Sequence, residues 1–124
     1  MKTQGEIEAA ISGRISRFER DYMGHGPAKV RAHVIDDLIV VRLQGVLTAA
    51  EQHLVKALSA KKGRILLKQV RTHLIETARP TMEEMVEAIT AVKVLSLHHD
   101  ISTVTGEEVV LFTLARSPLD RDMA

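Results

Sequence analysis

The chain has 124 residues, 45% of them hydrophobic and 27% charged, with a formal net charge of +1 and no cysteine; this suits one soluble globular domain able to bury its own core. Disulfides, thiolate metal sites and cysteine nucleophiles are excluded, and no apolar run approaches the ~20 residues needed to cross a bilayer. One tyrosine, two phenylalanines and no tryptophan leave few of the stacking platforms that single-stranded nucleic-acid binders use.

The N-terminal segment has acidic residues where an export signal needs its apolar core, so a cytoplasmic location is expected. Ile7, Ile11, Ile15, Phe18 and Tyr22 recur at three and four residues and predict a helix over 4–23. Thr3 and Glu6 have the spacing of a capping box, and Gly24 suits the C-terminal cap. Gly24-His25-Gly26-Pro27 leads into a strand over 28–35, and Asp36-Asp37 is a tight turn to a second strand over 38–44. Thr48 and Glu51 form another capping box. They open a helix expected to bury Ala50, Leu54, Ala57 and Leu58 and to end in 59–63.

A long helical pattern follows through Leu66 or Leu67, Val70, Leu74, Ala78, Met82, Met85 and Ile89. Pro80 inside it predicts a kink or a break, with Thr81 and Glu84 capping a restarted helix if it breaks. Strands over 92–99 and 107–114, joined around Thr103 to Gly106, complete the order α-β-β-α-α-β-β. The fold expected is α+β: one domain over 1–116, with a four-stranded, mostly antiparallel sheet packed by helices, and a flexible tail over 117–124. Several strands are apolar on both faces, through Leu38 and Val40, Leu95 and Leu97, and Val110, Phe112 and Leu114. Either helices cover both faces or a second copy packs on the sheet, and a homodimer is expected.

Catalytic patterns are weak. No nucleophile elbow surrounds a serine, Asp36-Asp37 is a turn, and Glu83, Glu84 and Glu87 suit a helix start. No catalytic residue is assigned, and a non-enzymatic role is favoured. His98-His99-Asp100, with His33, has the chemistry of metal ligands. Neighbouring strand residues face opposite ways, however, so neither metal nor cofactor is expected, and Asp100, Ser102 and Thr103 read as organisers of the hairpin loop.

Two surfaces are candidate binding sites. In the first, the backbone of Gly24, His25 and Gly26, beside Lys29, Arg31 and Arg42, would hold a small anion. The second lies in 52–75, which contains no acidic residue but does contain Lys56, Lys61, Lys62, Arg64, Lys68 and Arg71. Arg64, Lys68 and Arg71, at spacings of four and three, would share one helix face suited to an anionic membrane or an acidic partner. Nucleic acid is not the expected partner.

The segments 24–52, 71–90 and 92–114 resemble those of a small bacterial family termed MpsC-like, over about Gly5 to Leu114. The most specific pieces are Gly24-x-Gly26-Pro27, the corner Gly45-Val46-Leu47-Thr48-x-x-Glu51, Arg79-Pro80, and Asp100-Ile101-Ser102 with Thr105-Gly106. The family name refers to a Na+-translocating, membrane-potential-generating system, and members are associated with inorganic-carbon uptake. The resemblance therefore implies a soluble accessory subunit of a membrane transporter, peripheral to the membrane, and carries over no catalytic residue. The family usually has glycine after the long helix where this chain has Ala91, which implies a different helix end. The rival expectation is a small-anion or metabolite sensor built on the Gly24–Pro27 loop.

Overall fold

The computed structural model describes residues 2–57 and 60–120. In chain order the elements are α1 (Gln4–Met23), β1 (Lys29–Ile35), β2 (Leu38–Gln44), α2 (Ala49–Ala57), α3 (Ala60–Thr90), β3 (Val94–Ile101) and β4 (Glu108–Leu114). This is the α+β order read from the sequence. Thr3 caps α1 as its spacing requires: its hydroxyl accepts from the Glu6 N–H at 3.2 Å, while the Glu6 carboxylate accepts from the Thr3 N–H at 2.9 Å. Asp36 takes a φ of 55° in the two-residue turn between β1 and β2, a conformation that aspartate tolerates better than most residues.

The sheet is antiparallel throughout, in the order β1-β2-β4-β3. Only one of its faces is buried. Ala32 and Val34, Ile39, Val41 and Leu43, Leu97 and Ile101, and Val110, Phe112 and Leu114 join Ile7, Ile11 and Ile15 of α1 and Ile75, Ala78, Met82 and Val86 of α3 in a single core. The domain thus has two layers, helices on one face of the sheet and none on the other.

Two expectations for the helices are corrected. Pro80 does not break α3, which runs unbroken through it. Pro80 is exposed, so the Glu76 carbonyl that loses its donor faces outward, while buried Ala78 and Met82 hold both sides of the site in the core. No restart cap at Thr81 is needed. The helix α2 buries none of its residues: Ala50 and Ala57 are exposed and Leu54 is half-buried, because α2 packs along the start of α3 and away from the sheet. Leu58 lies outside the described residues.

The end of α3 is also resolved. Ala91 adopts φ 59°, so this chain places an alanine in the left-handed conformation that glycine favours. The helix end keeps the glycine-type geometry despite the substitution. Of the tail expected over 117–124, Ser117–Asp120 fold into a turn that sets Leu119 against the core, and 121–124 lie outside the described residues.

Candidate functional site

The α2–α3 pair forms a short helical arm. Thr48 and Glu51 close the second capping box at 2.9 and 3.1 Å. Gly63 then lets the helices touch: a Cβ there would stand 3.0 Å from the Val55 Cα and 3.1 Å from the carbonyl oxygens of Leu54 and Val55. Along the outer side of α3, Lys61, Arg64 and Lys68 are exposed, and so are Ile65, Leu66 and Val70. At 3.6 residues per turn Ile65 lies among these cations, while Leu66 and Val70 are exposed on the opposite flank of the buried stripe. Lys68 also pairs with Asp100 at 3.0 Å, with both groups largely exposed, a contact that contributes little in water.

Arg71 does not belong to that surface. It is only 3% exposed, because the buried stripe of α3 runs Leu67, Arg71, Ile75, Ala78, Met82 at spacings of four, four, three and four. The stripe read through Val70 and Leu74 is one position out in this half of the helix: Val70 is exposed and Leu74 half-buried. Removal of Arg71 from the docking face is the main correction to the sequence reading.

Inside, Arg71 ties the arm to the body. Its Nη2 donates to the Val46 carbonyl at 2.8 Å, and Nε lies 3.4 Å from Glu51 Oε2. Its Nη1 is 3.9 Å from Oε1 of Glu108, which is fully buried, and Glu19 of α1 is buried beside them. Burial pushes Glu108 up to about 8; Arg71 opposes this shift and Glu19 reinforces it. Burial also raises Glu19, again against the pull of Arg71. As carboxylates, neither oxygen of Glu108 nor Oε2 of Glu19 meets a donor. A proton on Glu108 changes this, because the acid then donates to Glu19 and one charge leaves the core. A cavity of about 200 Å³ lined by Met23, Val46, Thr48, Glu51, Arg71 and Leu74 opens on the cluster. The sequence marks this cluster only faintly, through an arginine at a core-spaced position and a glutamate beginning an apolar strand.

The residues of the candidate anion site fall on the α1–β1 loop and on β1 and β2. Gly24 is the left-handed cap of α1, and His25 Nε2 sits 3.2 Å from the Gly45 carbonyl oxygen. Lys29 and Arg31 lie along β1, and Arg31 stands opposite Arg42, which pairs with Glu107 at 2.8 Å. Lys29 pairs with Gln44, next to the Gly45 that His25 touches, while Arg31 and Arg42 lie further along the strands. His25 also lines a cleft of about 520 Å³ with Gly45, Gln52, Lys56, Thr103, Thr105 and Gly106.

His98 and His99 fall on opposite faces. His98 Nε2 contacts Ser96 Oγ at 3.2 Å, while His99 is lowered by burial beside Glu76 and Arg79. His33 is on β1, with β2 and β4 between it and β3. Among the described residues, no group of three or more His, Asp or Glu is arranged to hold a metal ion. Asp100 and Ser102 do order the hairpin: Asp100 accepts from the Ile101 N–H, and Ser102 Oγ from the N–H groups of Val104 and Thr105.

The family described as "Na+-translocating membrane potential-generating system (MpsC)" matches residues 3–116, nearly the whole folded region. The chain belongs to the MpsC family. A similar sequence is the "Uncharacterized protein YbcI" of Bacillus subtilis (strain 168), 38% identical over 113 residues, which cover 91% of this chain and 89% of that protein. No solved structure matches the chain. Among the described residues, no helix of this MpsC-family chain is long and apolar enough to cross a membrane.

Proposed function

We propose that this protein is a non-enzymatic accessory or regulatory subunit of a membrane transport system, Na+-linked or serving inorganic carbon, and that the α2–α3 arm is its docking surface. The observation that carries this reading is the exposed basic face of Lys61, Arg64 and Lys68 with Ile65 among them, and exposed Leu66 and Val70 on the other flank of α3. The cations would be drawn to an anionic headgroup layer or acidic loop while the apolar side chains leave water. The description of the family supplies the transport context.

The test is sedimentation with native membranes. The parent chain is expected in the membrane pellet, released by high salt. Lys61→Glu with Arg64→Glu, which spares the Lys68–Asp100 pair, should stay in the supernatant with an unchanged melting temperature. Equal pelleting of parent and variant would remove this reading.

A second reading, a small-anion or metabolite sensor, is favoured by the 520 Å³ cleft beside His25 and Lys56. Phosphate or bicarbonate bound there would raise the melting temperature, by mass action on the native state. The rise should vanish in Lys56→Ala, and no rise at tens of millimolar anion would sink the idea.

A further inference from the structure

The face of the sheet turned away from the helices is uncovered, and its residues fall into rows fixed by the strand register. One row reads Ile35, Leu38, Thr113, Ser96; the next His33, Val40, Leu111, His98; the third Arg31, Arg42, Val109, Asp100. The middle columns are largely apolar. The outer columns differ in charge, with Lys29 and Arg31 on β1 and Asp100 on β3. Leu95, left unpaired by the bulge between Val94 and Ser96, lies at the same end as Ile35. At 60% and 57% exposed they are the two most exposed large hydrophobic residues of the sheet. With strands ~4.8 Å apart and ~3.4 Å per residue, the face measures roughly 19 by 24 Å.

We propose that this face is where two copies of the chain meet, with a two-fold axis parallel to the strands so that β1 of each copy lies over β3 of the other. Such an axis exchanges the outer columns and keeps the rows. Arg31 then lies over Asp100 of the second copy, Val40 over Leu111, and Ile35 over the Leu95–Ser96 end of β3. An axis across the strands would instead lay β1 over β1 with the rows reversed, so that Arg31 faces His33 and Lys29 faces Ile35, and neither cation meets an acidic residue. Charge complementarity thus selects one of the two arrangements, and the aligned packing is one that sheets adopt. The interface is isologous and closes at two copies. It shares one residue pair with the arm, since Asp100 also meets Lys68 at 3.0 Å, but the dimer is read in solution without membranes and so is tested independently of the proposed docking.

The chain has no cysteine, which makes cross-linking a clean test. Ile35 and Leu95 sit on opposite edges of one sheet, about 14 Å apart across three strand spacings, beyond disulfide reach within a chain. Sedimentation of the parent chain at tens of micromolar is expected to show a dimer. A mixture of Ile35→Cys and Leu95→Cys chains, treated with a bis-maleimide whose reach matches the ~10 Å between facing sheets, should yield mainly the mixed cross-link. Arg31→Asp should weaken the dimer about tenfold, and adding Asp100→Arg should restore it. A monomeric parent would overturn the proposal. So would a dimer that gives only same-site cross-links or none, or one indifferent to Arg31→Asp.

Discussion

Arg71 Nη1 lies 3.9 Å from Oε1 of Glu108, and this guanidinium faces three carboxylates, those of Glu108, Glu19 and Glu51. One cation cannot neutralise three anions in a dry site. The arrangement therefore favours a proton on Glu108 and couples the stability of the fold to pH.

The sign of that coupling follows from the direction of the shift. Glu108 is raised from 4.5 to about 8, so between these values the native state holds a proton that the unfolded chain has lost. Stability from this group is complete below pH 4.5 and declines as pH rises to about 8, by up to ~1.4 kcal/mol per pH unit. Glu19 is raised as well and acts in the same direction. Urea unfolding at pH 5 to 9 should show the decline, and Glu108→Gln should flatten it. An equal slope in the variant would refute the assignment.

Removing the cation should cost more than removing the acid. Arg71→Met leaves Glu19 and Glu108 without their positive neighbour and frees the Val46 carbonyl. A loss of about 3–5 kcal/mol is expected, smaller at pH 5, where Glu108 is protonated. Denaturation midpoints at the two pH values check both claims.

Ala91→Gly should stabilise the protein by about 1 kcal/mol, because Ala91 holds φ 59°, where an L side chain is strained. The gain should appear as a higher melting temperature with an unchanged denaturant slope.

At Gly63 the effect should be confined to the arm. Gly63→Leu places a side chain where even a Cβ stands 3.0 Å from the Val55 backbone. Amide exchange should accelerate over the described parts of 49–66 while β2 and β4 stay protected. Uniform acceleration would show that the arm and sheet unfold together.

Much of the local structure was legible because local rules govern it. Thr3 with Glu6 and Thr48 with Glu51 announced two helix starts by spacing alone, and Asp36-Asp37 announced the first hairpin. In the last strand Val110, Phe112 and Leu114 stood out as apolar residues two apart, the spacing of one face. The sequence also held the acid-free stretch that makes the outer side of α3 basic, and the family wording around Gly24–Pro27 and Arg79-Pro80.

What it could not decide was the rotation of α3 about its axis. Val70 and Leu74 compete with Leu67 and Ile75 for the core, and only packing against α1 and the sheet settles which pair is buried. That rotation turned Arg71 inward, against the ordinary preference of arginine for water, by giving it the Val46 carbonyl and Glu51. Pro80 was likewise decided by tertiary packing, since Ala78 and Met82 hold the helix through a missing hydrogen bond. Sequence determined the elements and their caps, where the energies are set within a few residues. Tertiary structure decided which faces are buried and which charges meet, because those energies belong to pairs far apart in the chain.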